Sequence, residues 1–476
     1  MGQEIPDSRF SEQDFRAFRE RLAAETETLA QWFRQRRFST RAPVGGYELE
    51  AWLVDGRGDP APVNEALLAA LQDPLVVPEL ARFNIELNGH PQYLQGAALS
   101  LLHQELADTW ARCATAAAGL DARLMMVGIL PTLREAQLHA ANMSPSERYR
   151  ALNEQVFRQR QGRPLHLDIL GVEHLVTEHR DVMLESATTS FQIHLKVPPA
   201  RAVRLYNLAQ ILSAPLVGVG ANSPFLFGHD LWAETRIPLF EQSVEVGGYA
   251  GAAQGPVHRV SFGTGYARES LLECFEENLE HFPPLLPVAL DRPETLPHLR
   301  LHNGTIWRWN RPLLGFDEDG TPHLRIEHRV LPGGPSVPDL MANAAFFFGL
   351  MAHFGGQEPA PETLLPFATA RDNFYAAARE GLEANIVWLD GRRGRLAELI
   401  GTRLVPAARA GLEQLGIDAT DSERYLDIIA ARAASGRNGA AWQRAWVARH
   451  GRDWHGLVEA CLARQESGEP VHGWPL

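Results

Sequence analysis

The stretch that decides the fold is Gly46-Tyr-Glu-Leu-Glu-Ala-Trp52. It is predicted to form a core strand, and because side chains alternate across a strand, Glu48 and Glu50 point to the same face. Two adjacent carboxylates on a face that should be apolar are costly unless a cation lies between them. Since Mg²⁺ and Mn²⁺ prefer carboxylate oxygens, this strand predicts a site for a hard divalent ion.

A second predicted strand, His323-Leu-Arg-Ile-Glu-His-Arg-Val330, shows the same anomaly. Its alternation places Arg325, Glu327 and Arg329 on one face. Guanidinium forks are suited to gripping phosphate and carboxylate groups, so the two strands together predict metal-assisted phosphoryl chemistry on an acid substrate. The other interpretation of the two arginines is ordinary cross-strand pairing with acids.

Composition narrows the class of protein. The chain has 476 residues, 45% of them hydrophobic and 22% charged, which is typical of a soluble globular protein. A formal net charge of −13 argues against a general nucleic-acid or anionic-membrane binder. Lys196 is the sole lysine, so no Gly-x-x-x-x-Gly-Lys-[Ser/Thr] phosphate loop exists and any ATP must bind without one.

The spacing of the cysteines and the length of the apolar runs indicate the cellular compartment of the protein. Cys113, Cys274 and Cys461 are far apart and form no Cys-x-x-Cys, which disfavours a zinc site or a disulfide framework. The N-terminus lacks the basic and apolar regions of a signal peptide. No run approaches the roughly 20 apolar residues of a membrane span. We therefore expect a cytoplasmic protein that does not enter a membrane.

The order of predicted elements indicates the fold class. An amphipathic helix with a capping box is expected over 11–37, and the clearest strand, over 188–197, has one wholly polar face that carries Gln192 and His194. Strands with polar anomalies are scattered through the first 330 residues, so distant strands must pair in a largely antiparallel or mixed sheet. Helices are then expected over 339–353, 370–386, 394–413, 422–435, 438–449 and 452–467.

Three further segments carry candidate site residues. Glu79 and Glu86 lie in a predicted loop that leads into a strand, and Asn222-Ser223-Pro224 forms a Gly/Asn/Pro-rich loop. A strand is predicted over 305–311, with Arg308 and Asn310 on one face and Arg311 at its end. Each has an ordinary interpretation. A lone glutamate is usually solvated or paired, a lone histidine such as His194 is usually structural, the loop can be only a turn, and the arginines can be rim residues.

Taken together, these pieces resemble glutamate–cysteine ligase family 2. The motifs that carry the resemblance are the Gly-x-Glu-x-Glu strand, Glu79-Leu-x₅-Glu86, Asn222-Ser-Pro224, Trp307-Arg-Trp-Asn-Arg-Pro312 and Arg325-x-Glu-x-Arg329. The resemblance covers roughly residues 40–345. It implies an ATP-dependent carboxylate–amine ligase with a glutamine-synthetase-like α+β fold: a curved, mostly antiparallel sheet, helices on its convex face and a helical C-terminal region. The implied division is an N-terminal helix (1–40), a catalytic domain (41–340) and C-terminal helices (341–476).

The resemblance also implies a site. Two or three Mg²⁺ (or Mn²⁺) ions and ATP would bind on the concave face, one metal shared by Glu50, Glu79 and Glu86 and another held by Glu48 and Glu327. The implied catalytic residues are Arg329, Arg325 and Arg308, and the implied substrate- and ATP-binding residues are Arg311, Arg236, Gln192, His194, Asn222 and Ser223. Many relatives have histidine where this chain has Gln192, which leaves the second metal's ligands and the role of His194 open.

The expected reaction follows from the same resemblance. A glutamate γ-carboxylate would attack ATP to give an acyl phosphate, and an amine, cysteine foremost, would displace phosphate to give γ-glutamylcysteine or a related γ-glutamyl amide. The partners would be small-molecule acids and amines, with homo-oligomerisation left open. Two alternatives remain: a phosphotransferase of guanidino-kinase type, and a catalytically degenerate nucleotide-binding regulatory protein.

Overall fold

The computed structural model describes residues 4–5, 8–246 and 258–476. The strands are β1 (Val44–Asp55), β2 (Val76–Pro78), β3 (Asn84–Asn88), β4 (Gln92–Tyr93), β5 (Ala122–Met125), β6 (Leu165–Leu170), β7 (His174–His179), β8 (Ser190–Val197), β9 (Phe225–Leu226), β10 (His229–Asp230), β11 (Val260–Ser261), β12 (Trp307–Arg308), β13 (Asn310–Phe316), β14 (Pro322–Pro332), β15 (Asn385–Val387) and β16 (Arg393–Arg395).

The α-helices, with shorter 3₁₀ turns between some of them, are α1 (Glu12–Gln35), α2 (Asn64–Leu71), α3 (Ala98–Ala118), α4 (Glu147–Gln159), α5 (Ala202–Gly220), α6 (Arg236–Ser243), α7 (Leu272–His281), α8 (Pro297–Asn303), α9 (Val337–Gly355), α10 (Pro361–Leu364), α11 (Phe367–Glu380), α12 (Leu396–Leu399), α13 (Val405–Leu415), α14 (Ala419–Ser435), α15 (Gly439–His450) and α16 (Trp454–Ser467).

An eight-stranded, curled antiparallel sheet forms the centre of the fold, with strand order β13-β14-β8-β1-β3-β2 and with β4 and β5 also paired to β1. The predicted α+β class and mostly antiparallel sheet are confirmed. Register matters here because Glu48 of β1 lies opposite Gln192 of β8, and Glu50 lies opposite Glu86 of β3. Directly opposed residues point to the same face, so the polar side chains of three strands meet on one side of the sheet.

Helices cover the opposite, apolar face. α5 and α9 pack there, and the ring of Phe347 on α9 stacks on His328 of β14 at a centroid distance of 4.4 Å. At Gly45 a Cβ would lie 2.7 Å from the Phe348 ring, so glycine is what allows α9 to approach β1 this closely. The sheet therefore has one dry face under helices and one polar face on which chemistry can be built.

The N-terminal helix is fixed to the region beside that polar face. Ser11 caps α1 in the predicted capping box with Asp14. Farther along α1, Glu25 accepts a hydrogen bond from the backbone N–H of Leu299 (2.8 Å) and contacts Nδ1 of His298 at 2.6 Å. Both partners lie in α8, so α1 helps to hold α8 in place.

Three predicted elements differ from the structure. The helix expected over 370–386 ends at Glu380, because Gly381 adopts a positive φ of 60°. The helix expected over 394–413 begins only after β16, at Leu396, and contains a π-helical segment at Ile400–Leu404. The single strand expected over 305–311 is two strands: β12 pairs in parallel with β11, and the chain enters the main sheet only at β13.

The predicted domain boundaries stay a prediction. Buried residues from α1, the sheet and the C-terminal helices form one continuous hydrophobic cluster. The boundary placed after residue 340 falls within α9.

Two helical stretches, Pro199–Gly220 and Val337–Gly355, are long and apolar enough to cross a membrane, although no such segment was expected from the sequence. They are 89% and 78% buried, as core helices of a soluble protein are.

Candidate active site

The first element of the site is a group of three carboxylates, here called the acidic group: Glu50 on β1, Glu79 just before β3, and Glu86 on β3. One oxygen from each lies within 4.8 Å of the others. Glu50 is held by donors from β8: the backbone N–H of Ser190 (2.7 Å), its hydroxyl (2.7 Å) and Nε2 of Gln192 (3.0 Å). These bonds fix the orientation of one carboxylate and leave the group facing a cavity.

The second element, here called the mixed group, consists of Glu48 on β1, His194 on β8 and Glu327 on β14. Its three ligand atoms also lie within 4.8 Å of one another, and Nε2 of His194 is 3.3 Å from Oε1 of Glu48. Register explains the assembly, because His194 lies directly opposite Glu327 on the neighbouring strand. The two ligand sets expected from sequence are therefore each brought together, and His194 joins the second one.

Two arginines hydrogen-bond directly to the mixed group. Arg311, opposite Glu327 in the sheet, donates to its carboxylate through Nε (2.7 Å) and Nη2 (3.0 Å). Arg329 donates to the same carboxylate at 3.1 Å and also to Oε1 of Gln192. A β-bulge produces the second contact: Arg329 and Val330 together oppose the single residue Gln192.

The two groups differ in their electrostatics. Burial, followed by the charges of Glu86 and Glu50, raises the pKa of Glu79 well above its usual range. Burial alone would also raise the pKa of Glu327, but the guanidiniums of Arg311 and Arg329 more than offset it and hold the pKa well below its usual range. Nearby positive charge thus outweighs burial at Glu327, whereas at Glu79 burial and the neighbouring carboxylates prevail.

The donor chemistry fits divalent metal ions. The acidic group offers only carboxylate oxygens, which suit Mg²⁺ or Mn²⁺, and the mixed group adds one imidazole nitrogen, which Mn²⁺ tolerates well. Nε2 of buried His194 faces the carboxylates of Glu48 (3.3 Å) and Glu327 (4.0 Å), and in the part of the chain that the structure describes its Nδ1 has no hydrogen-bond partner. A buried imidazole nitrogen that faces two carboxylates suits a metal ligand.

A large cavity of about 550 Å³ opens beside the mixed group. Its charged lining includes Glu48, Asp291, Glu327, Arg148, Arg292, Arg300, Arg311 and Arg325. Its apolar lining includes Phe275, Leu290, Pro297, Leu301, Leu313 and Leu314. Several guanidiniums next to an apolar wall can hold an anionic phosphate chain and a flat heterocycle, respectively. Arg325 is thus placed in the site as expected.

A small cavity of about 110 Å³ opens beside the acidic group. Arg329, Gln192 and Arg311 line it, together with Tyr149 and Glu185. Glu185, from the 3₁₀ turn just before β8, was missed by the sequence analysis. Burial and the nearby charge of Glu50 raise the pKa of Glu185 to about 8, although Arg329 opposes the shift.

Arg308 does not reach either cavity. Its guanidinium is buried against α7, where it donates to Glu277 (2.5 Å) and to the amide oxygen of Asn278 (2.7 Å), and it lies 5.7 Å from the centroid of the Phe282 ring. The division of the predicted strand into β12 and β13 explains this, because Arg308 precedes the entry into the main sheet. The geometry favours a structural ion pair at this position.

The Asn-Ser-Pro loop and Arg236 lie behind the site. The side chain of Asn222 donates to the carbonyl of Gly333 (2.9 Å), and the hydroxyl of Ser223 donates to buried Glu234 (2.8 Å). Arg236 pairs with Glu234 and donates through Nη2 to the carbonyl of Arg329 at 3.1 Å. These residues support the backbone at the bulge and do not line the two cavities.

The residues that sequence reasoning missed gave weak signals. Glu185 lies in a turn whose sequence has neither helical nor strand periodicity. Arg292 lies in a Pro-rich stretch before α8 and Arg300 lies in α8. Arginine is ordinary at such positions in a chain that has a single lysine. The neighbouring pair Arg148 and Tyr149 gives only a faint signal, at a helix start. The one usable signal for Glu185 was its position seven residues before Gln192, in the segment leading into the most strongly polar-faced strand.

The chain matches a known protein family over most of its length. A family model described as glutamate-cysteine ligase family 2 matches residues 44–464. The chain is similar to the glutamate–cysteine ligase of Francisella tularensis in complex with AMP, with a TM-score of 0.51, 11% identity and 90% of each chain covered. At that identity the likeness establishes the fold alone.

Two other solved structures are less similar. A bifunctional glutathione synthetase from Pasteurella multocida has a TM-score of 0.46 and 12% identity, with 92% of this chain and 54% of that one covered. The ligase PafA, in complex with the prokaryotic ubiquitin-like protein Pup, has a TM-score of 0.40 and 12% identity, with 90% and 73% covered. No curated protein sequence matches the chain.

Proposed function

Since the chain belongs to glutamate–cysteine ligase family 2, a family of ATP-dependent ligases, we propose that it is a carboxylate–amine ligase. The acid is the γ-carboxylate of glutamate, activated as an acyl phosphate, and the amine is cysteine, which gives γ-glutamylcysteine, the first intermediate of glutathione biosynthesis. The observation that carries the proposal is the presence of two groups of metal-ligating side chains between an arginine-lined cavity large enough for a nucleotide and a small polar cavity.

Family membership implies ATP and a divalent metal ion, and we propose Mg²⁺ at both groups. The acidic group would hold one ion, and the mixed group, with His194 in place of a ligand at position 192, would hold the other. Bound ions would neutralise the charge of the carboxylates and of the nucleotide phosphates. Gln192 then has a different role, because its two amide atoms link Glu50 to Arg329.

In the proposed first step, the γ-carboxylate of glutamate attacks the γ-phosphate of ATP, and ADP leaves. The chain itself supplies positioning and positive charge, which is most of what phosphoryl transfer requires. Arg325 and Arg311 line the large cavity where the phosphates would lie, and Arg329 lines the small cavity at the boundary between the two groups. Arg236 supports Arg329 through its backbone carbonyl.

In the second step, the amine attacks the acyl carbon and phosphate departs. Phosphorylation is needed because an unmodified carboxylate has only oxide as its leaving group. No covalent protein nucleophile takes part, and the three cysteines accord with this, since all are buried. The proposed partners are small molecules, in a cytoplasmic setting; the domain division at residues 40 and 340 stays part of the proposal.

The test is ADP release measured with glutamate and cysteine, each omitted in turn, followed by the product mass. We expect ADP release to require both substrates and Mg²⁺, and the product to have the mass of γ-glutamylcysteine. The matched control is Glu48→Gln, in the mixed group.

Three other results would contradict the proposal in different ways. A stable phosphorylated product formed without any amine would indicate a phosphotransferase of guanidino-kinase type. Calorimetric binding of Mg-ATP with no ADP release from a panel of acids and amines would indicate a degenerate nucleotide-binding protein. Turnover with another amine, but not with cysteine, would correct the acceptor while keeping the ligase.

A further inference from the structure

We propose that Glu185 binds the ammonium group of the acceptor, so that the small cavity is the amine-binding part of the active site. This inference rests on the proposed ligase function and assigns a role that the metal groups and the arginines leave unfilled. The class of ligand it specifies is a small primary amine that enters in its protonated form.

The first argument is that the carboxylate of Glu185 is unengaged. Glu185 lines the small cavity beside Glu50 and Arg329. Among the described residues no donor hydrogen-bonds to its side-chain oxygens, whereas Glu50 in the same cavity accepts from Ser190 and Gln192. A half-buried acid without a donor is costly unless a cationic ligand completes it.

The second argument is that Glu185 lies outside both metal-ligand groups. No atom of Glu185 belongs to the three carboxylate oxygens of the acidic group or to the three atoms of the mixed group. Its oxygens are therefore available to something other than the ions. An alkylammonium is the natural candidate, because it is cationic and has several N–H donors.

The third argument comes from the other walls of the cavity. Leu80, Leu152, Val244 and the aromatic rings of Tyr149 and Trp307 line it. Apolar and aromatic walls suit a short carbon chain, and an aromatic face stabilises a nearby cation. A volume of about 110 Å³ admits a small amine and excludes a folded peptide segment.

The same cavity is also lined by a guanidinium, that of Arg329. Arg329 is only 8% exposed, and its Nε has no hydrogen-bond partner among the described residues. A buried guanidinium with a spare donor is suited to the departing phosphate. The small cavity thus contains both a carboxylate that can bind a cation and a guanidinium that can bind an anion.

This pair of charges matches the second step of the reaction. The ammonium loses a proton, its nitrogen forms the C–N bond with the acyl carbon, and the bond between that carbon and the phosphate oxygen breaks. An acyl phosphate and an ammonium thereby give an amide, hydrogen phosphate and one proton. Glu185 holds the nitrogen near the acyl carbon before the proton is lost.

The test uses the isosteric variant Glu185→Gln in the full-length protein, with Glu178→Gln, an exposed glutamate on β7, as the matched control. Cysteine and methylamine are the ammonium probes. Hydroxylamine is the third probe, because it is largely uncharged at neutral pH and traps acyl phosphates directly as hydroxamates.

We expect Glu185→Gln to raise the KM for the ammonium acceptor by about 10- to 100-fold, since a charge-assisted bond is lost. The KM values for ATP and glutamate, the Mg²⁺ requirement and the rate of hydroxamate formation should stay at wild-type values. Glu178→Gln should behave as wild type throughout.

Two results would overturn the role of Glu185. A wild-type KM for the ammonium acceptor would mean that it does not bind the amine. A parallel loss of hydroxamate formation and of Mg²⁺ activation would make it a metal ligand instead. If wild-type protein forms no hydroxamate and no amide, the proposed ligase function itself fails, which is a separate result.

Discussion

The acidic group and the mixed group lie side by side on one sheet, yet the charges of their carboxylates are balanced in different ways. The mixed group has its countercharge in the protein, since Arg311 and Arg329 both bond to Glu327. In the acidic group, burial together with neighbouring negative charge raises the pKa values of Glu79 and Glu86. The charge of Glu327 is therefore balanced by the protein, whereas the carboxylates of the acidic group repel one another and a bound cation would relieve that repulsion.

Activity should fail whichever group is broken. We expect Glu50→Gln and Glu48→Gln each to lower kcat for ADP release by about a thousandfold, because each removes an anionic ligand at the point of phosphoryl transfer. Steady-state ADP release with saturating glutamate and cysteine measures this, and circular dichroism checks the fold. Turnover near wild type in either variant would remove that group from the metal site.

Replacing Arg329 should lower kcat by less than the loss of a carboxylate does, and the effect should depend on the forked shape of the guanidinium. Arg329→Lys keeps a charge but cannot bond Gln192 and Glu327 together, so kcat should fall by about a hundredfold. The matched control is Arg308→Lys, which alters a buried arginine outside both cavities. We expect the control to lower thermal stability and to keep the KM values. If Arg308→Lys instead lowered kcat as strongly, the structural assignment of Arg308 would be wrong.

The two groups should respond with opposite signs when stability is measured without metal. Glu79→Gln removes a repelling charge and should raise the free energy of unfolding by about 1 kcal/mol. Glu327→Gln strips two buried guanidiniums of their partner and should lower it by about 3 kcal/mol. Denaturant unfolding in EDTA measures both. Adding Mg²⁺ should stabilise wild type more than Glu79→Gln. Shifts of the same sign in the two variants would refute the contrast.

The last prediction concerns pH. The folded protein raises the pKa of Glu185 from 4.5 to about 8. Between these values the folded state keeps a proton that the unfolded state has released, so metal-free stability should fall as pH rises through this window. Thermal unfolding in EDTA over this range measures the trend, and Glu185→Gln should flatten it. A stability that rises over the same range in EDTA would contradict the burial argument.

Much of this arrangement could be predicted from residue patterns, and the reasons are local. Alternation in β1, β8 and β14 specifies which side chains share a face, and register then brings Glu48, His194 and Glu327 together. Arg308 was misplaced because one alternating run spans two strands of different sheets, a break that periodicity does not reveal. Glu185 was missed because its turn has no period and its neighbours come from distant segments.

The β-bulge at Arg329 and Val330 has a consequence for anyone comparing related chains. Before it, odd-numbered residues of β14 face the site; after it, Leu331 lies opposite Phe191 on the helix-covered side, and Pro332 takes the other side. At this point the odd-numbered residues of the strand move from the side that faces the site to the helix-covered side. A relative that kept every residue of the strand but lacked the bulge would turn the side chains after Arg329 to the opposite face of the sheet.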